Sequence, residues 1–99
     1  MVRGTTPTVK INIDGCDVTL LSKMFITLKQ RNVEIEKTIE DITILESNKV
    51  SFTLSQEETL LLNAGLVDMQ FRGVDSSGVA VASEIFSSTI SDILKEGVI

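Results

Sequence analysis

Few residues in this chain could do chemistry. The chain has no histidine, so the commonest general base is missing. Its single cysteine, Cys16, has no imidazole to activate it and no second sulfur for zinc or an intrachain disulfide. Cys16 therefore reads as a turn or core residue. Glu34 and Glu36 alternate along one segment, with Glu40 and Asp41 just beyond. Paired carboxylates serve glycoside hydrolysis and calcium binding, but no second ligand set stands at a fixed spacing from these. They read as a solvated strand face whose charge discourages stray pairing. Asp75-Ser76-Ser77-Gly78 is a turn, because Asp and Ser bond local backbone and Gly supplies positive φ. No glycine-rich phosphate cradle and no nucleophile elbow occurs. The expectation is a chain with no catalytic residue, no cofactor and no metal, and not an enzyme.

Composition narrows the partners. The formal charge is −5, and Lys and Arg are scattered. Nucleic acid needs a basic footprint to displace counterions, and an anionic membrane surface needs the same. Neither is expected as a partner, nor is a small-molecule substrate. The four Phe, with no Trp or Tyr, are too few for a sugar platform or a base-stacking surface. The N-terminal stretch MVRGTTPTVK has no hydrophobic signal core, which argues against Sec-type export.

The elements that must position these residues are mostly strands. Hydrophobic content of 42% in 99 residues is enough for one core in one domain. Val9, Ile11 and Ile13 alternate with Lys10 and Asn12, and Asp14-Gly15 then marks a turn. Met24, Ile26 and Leu28 form the next alternating face, and Val33 and Ile35 follow the Arg31-Asn32 turn. Ile42 and Ile44 are expected inward, as are Val50, Phe52 and Leu54. Val67, Met69 and Phe71 make another face. A final long strand runs from Val79 to Ile90, with a bulge where its phase shifts. About seven short strands with turns every 8–12 residues predict an antiparallel, Ig-like β-sandwich.

Leu54 to Gly65, LSQEETLLLNAG, breaks the alternation. Ser55 and Glu58 have capping-box spacing, Glu57 and Glu58 suit the first turn's dipole, and Gly65 can close the far end. The spacing predicts one short helix over about 56–64, plugging an end of the sandwich. Leu61 and one neighbour are expected inside, leaving Leu60 or Leu62 to face a partner. Residues 1–6 are expected as a flexible arm, 7–91 as the sandwich and 92–99 as a tail. Ser91 could cap a helical turn in that tail. Ile93, Leu94, Val98 and Ile99 are many apolar groups for a chain end, so they either fold back or bury in another subunit.

With the strands in order, the chain resembles small structural proteins of tailed bacteriophages and prophages. It is similar to the N-terminal β-sandwich of phage baseplate upper proteins. The resemblance rests on Thr53-Leu54, Ser55 to Thr59, Leu60 to Leu62, Gly65, Val67 to Arg72, Asp75 to Gly78 and Ala80 to Ile90, and it covers nearly the whole chain after residue 6. Those proteins continue into a receptor-directed region, whereas this sequence stops at Ile99, so the expectation is a stand-alone subunit. The resemblance implies a non-enzymatic part of a tail, baseplate, neck or capsid-associated structure, assembled in the bacterial cytoplasm and located in the virion. Its partners would be other virion proteins and copies of itself. Leu60, Leu62, Ile93, Leu94, Val98 and Ile99 are the candidate interaction residues. A second reading is a small module that recognises a bacterial surface glycan or protein.

Overall fold

The computed structural model describes residues 1–99. Eight strands form two antiparallel sheets. The first holds β1 (Thr8–Asn12), β5 (Lys49–Thr53) and β4 (Thr43–Glu46) in the order β1-β5-β4. The second holds β3 (Val33–Thr38), β2 (Leu21–Gln30) and β6 (Gly65–Asp75), with β7 (Ala80–Ala82) and β8 (Phe86–Ile90) both on the far side of β6. A 3-10 turn at Val18–Leu20 and one helix, α1 (Gln56–Leu60), complete the elements. This order matches the B-E-D and C′-C-F-G sheets of the immunoglobulin arrangement. The chain is an all-β, Ig-like sandwich.

The period-2 alternation explains the layers. Met24, Ile26 and Leu28 of β2, Val67, Met69 and Phe71 of β6, and Ile35 of β3 are buried on one inner face. Ile11 of β1 with Val50 and Phe52 of β5 meet them from the other sheet. Burying each such side chain stabilises the fold by about 1.5–3 kcal/mol. Val18 and Leu54 are fully buried at the ends of the strands.

Two departures from regular pairing shape the sheets. Between β7 and β8, Ser83, Glu84 and Ile85 stand opposite only Gln70 and Phe71, a one-residue bulge. Ser83 replaces the missing ladder: its N–H donates to Phe71 O at 2.9 Å and its Oγ accepts from Phe71 N at 3.0 Å. The final strand expected from the sequence is thus two short strands about a bulge. Between β2 and β6 the register shifts at Leu21 to Lys23. Gly73 lies there, where a Cβ would fall 2.6 Å from Leu21 Cδ1 and 3.3 Å from Lys23 O. Glycine leaves room there for the Leu21 side chain to lie across the strand; a larger residue would have to displace it and crowd the Lys23 carbonyl.

Some expectations need correction. Ile42 is buried, but Ile44 is 41% exposed, and every residue of β4 faces solvent. β4 is a short edge strand that shifts register between Ile44 and Glu46, so its alternation is not held against the core. The tail forms no helical turn; it holds a lone bridge at Ser91 and bends. Ser91 N donates to Met1 O, and Ser91 O accepts from Arg3 N, so the cap residue is committed to strand-like pairing. A single turn cannot offset its nucleation cost alone.

Candidate interaction surfaces

The helical end of the sandwich is built around α1. Ser55 Oγ accepts from Glu58 N at 3.1 Å, and Glu58 Oε1 accepts from Ser55 N at 2.9 Å, completing the expected capping box. The same Glu58 oxygen accepts from Lys37 Nζ of β3 at 2.7 Å. Burial alone would raise the Glu58 carboxyl; the hydrogen bonds from Lys37 and Ser55 outweigh it and hold it below its ordinary value. Lys37 is buried on the inner face of β3, so the pair fastens α1 to the second sheet.

The helix stops at Leu60, earlier than its sequence suggests. Leu61 N and Leu62 N bond back to Glu58 O and Thr59 O, tightening the last turn. Leu62 then turns inward and is fully buried, while Leu61 is 58% exposed. That reverses the expectation for both residues. The Gln30 side chain holds the exit: Nε2 donates to Asn63 O and Leu66 O, and Oε1 accepts from Asn63 N. Gly65 does not close the helix; it begins β6 at φ +125°.

Residues 1–6 run past this end. Met1 N donates to Thr89 O at 2.6 Å, and Val2 bridges Ser91 in parallel. Arg3 donates from Nε to Leu62 O at 2.6 Å and from Nη2 to Leu60 O at 3.2 Å, satisfying carbonyls that the short helix leaves open. Its Nη1 also meets Asp92 at 2.9 Å and Glu96 at 2.7 Å. Thr59 Oγ1 donates to Thr5 O beneath the helix.

Of the candidate interaction residues, Leu62 belongs to the core. Leu60 and Ile93 are half-buried and flank Gly4. Leu94, Val98 and Ile99 are exposed. Ile99 lies beside α1, exchanging backbone hydrogen bonds with the Gln56 side chain. The structure therefore brings Leu61, Val98 and Ile99 to the helical end as exposed apolar groups and takes Leu62 away.

A second surface was not singled out by motif. On the side of the sandwich where β1 and β7–β8 are the sheet edges, a cleft of about 920 Å³ opens between the layers. Lys10, Ile11, Ile13, Val81, Glu84 and Phe86 line it, and Cys16 is half-buried along its wall. Pro7 O accepts from Leu54 N, and Ile13 N donates to Asn48 O. Strict alternation then turns the backbone groups of Thr8, Lys10 and Asn12 away from β5, toward the open side. The arm covers β8 only at Thr89 to Ser91. Phase loss across Ser83 to Phe86 was the sequence signal for this opening.

Across the sandwich, β3 and β4 are the opposite edges. Glu34 and Glu36 are exposed there, as expected of a solvated strand face. No group of His, Cys, Asp and Glu has metal-site geometry, and no helix is long and apolar enough to cross a membrane. Compared with protein-family models, with curated proteins and with solved structures, the chain matches none of them.

Proposed function

We propose that this chain is a non-enzymatic structural subunit that works by protein–protein assembly, with a phage or prophage particle as its setting. The observation that carries the assembly reading is the apolar surface it displays. Leu61, Leu94, Val98 and Ile99 are exposed, the last three at 105%, 56% and 85%. The Gln56 side chain holds Ile99 beside α1, so Ile99 and its chain neighbour Val98 add exposed apolar surface near the helical end, and such surface marks protein contact where it is contiguous. Two sheet edges that carry free backbone groups supply a second means of contact. The particle setting is supported by the resemblance of Thr53 to Ile90 to phage sandwich domains, and there repeated copies make weak contacts sufficient through multivalency.

The test is genetic. Deleting the coding sequence from a producing phage should leave particles that lack a substructure or fail to complete, as seen by negative-stain microscopy. Normal particles in normal yield would count against the reading.

A further inference from the structure

We propose that the open β1 edge of one copy pairs antiparallel with the β3 edge of a second copy, joining subunits into a continuous sheet. The inference rests on the assembly reading above and names the partner of one of its surfaces.

Three features of the two edges agree. The first is backbone direction. On β1 the outward-facing backbone groups belong to Thr8, Lys10 and Asn12. On β3 the free ones belong to Glu34 and Glu36, because Val33, Ile35 and Lys37 pair toward β2 by alternation from the β7, β6 and β2 registers; the outward groups of Thr38 are taken by Asp41, whose carboxylate accepts the Thr38 N–H and whose N–H donates to Thr38 O. On both strands these residues carry their side chains on the outer face, and their neighbours face the core. Paired edge to edge, core face meets core face and solvent face meets solvent face. A strand of opposite parity would place polar groups against apolar ones.

The second is charge. With Lys10 opposite Glu36, Asn12 stands opposite Glu34 and Thr8 opposite Thr38. Inside, Ile11 meets Ile35 and Ile13 meets Val33, while Val9 stands opposite Lys37, whose ammonium is already paired with Glu58. The exposed turn residues Asn32 and Arg31 come level with Asp14 and Gly15. Opposite charges directly across a strand pair are stabilising and like charges are not. Pairing β3 with another β3 would set glutamates against glutamates, and pairing β1 with β1 about its centre would oppose two copies of Lys10. Glu34, which faces neutral Asn12, and Glu84, on the opposite wall of the cleft, have no counter-charge in this register.

The third is the second layer. β1 and β7–β8 share one side of the sandwich, and β3 and β4 share the other. A second copy turned over by a half-turn about the axis across the strands brings β3 beside β1. The same turn sets its β4, with exposed Ile44 and Leu45, toward the β7–β8 edge and exposed Ile85. This contact is heterologous: each copy offers one side and receives the other, and a half-turn combined with a shift along its own axis does not close, so it propagates into a filament.

Sedimentation of the full chain over a concentration series tests this. Wild type should self-associate. Lys10→Glu and Glu36→Lys should each weaken association by about tenfold or more, and the double variant should restore it. In a Cys16→Ser background, a short bismaleimide should link Asn12→Cys protein to Glu34→Cys protein when the two are mixed, but should link neither to itself. A wild type that stays monomeric, single charge reversals without effect, or Asn12→Cys protein linking to itself would each overturn the pairing. A monomeric chain still found in purified particles would overturn this pairing and leave the assembly reading standing; absence from particles would remove the assembly reading itself.

Discussion

Lys37 Nζ of β3 and Glu58 Oε1 of α1 are 2.7 Å apart, and that oxygen also accepts the Ser55 N–H. One carboxylate thus closes the helix cap and ties the helix to the second sheet. Lys37 is the more buried partner, with a side chain 11% exposed. Glu58→Gln keeps an acceptor for Ser55 but leaves Lys37 buried without its counter-charge. It should cost about 2–3 kcal/mol. Adding Lys37→Met should recover part of that loss, as read from urea unfolding of the two single variants and the double.

The cap itself is separable. Ser55→Ala removes the acceptor for Glu58 N and should lower stability by about 0.5–2 kcal/mol. Ser55→Asp, which keeps an acceptor at the cap, should unfold close to wild type.

Acid should loosen the helical end and the turns. Glu58 has an ordinary value of 4.5 and sits lower in the folded chain, because Lys37 and Ser55 outweigh burial. Asp92 is lowered from 3.8 by the Ile93 N–H and then by Arg3; Asp41 is lowered by the Thr38 N–H, and Asp75 by the Ser77 hydroxyl. A depressed carboxyl stabilises the fold at pH above its unfolded value and loses that contribution as pH falls through its folded value. Thermal stability should therefore fall below about pH 4.5. Glu58→Gln should flatten the upper part of that fall, measured as Tm against pH.

Arg3 should hold both chain ends. Arg3→Ala frees the carbonyls of Leu60 and Leu62 and releases Asp92 and Glu96. Hydrogen exchange should rise at Leu61 to Asn63 and at Ser91 to Glu96, with little change at Ile26 and Phe71 in the sandwich centre. Uniform acceleration across the chain would contradict a local clamp.

Gly73→Val should be costly although the position lies in a strand. The new side chain meets Leu21 and the Lys23 carbonyl. A loss of about 1–3 kcal/mol in chemical unfolding is expected from overpacking.

How legible the molecule is from its sequence depends on what holds each part. β3 spans Val33–Thr38, the segment whose alternation is cleanest, because Ile35 has one buried face and Glu34 and Glu36 one wet face. The capping box was legible because it is a local hydrogen-bond pattern at fixed spacing. The leucines after it were not. Their inward and outward directions are set by Gln30, 33 residues away, which grips Asn63 and ends the helix. The tail misled because Ser91 looks like a cap locally and is claimed by Met1 and Arg3 at the other end of the chain. The edge cleft left only a broken phase at Ser83 to Phe86, since an edge is a property of sheet order and not of any one strand.

The most direct test of the assembly account is quantitative mass spectrometry of particles banded on a density gradient from producing cells. The account predicts this chain in the particle fractions at a constant ratio to the other particle proteins across the band. Its recovery only as free protein at the top of the gradient would contradict it.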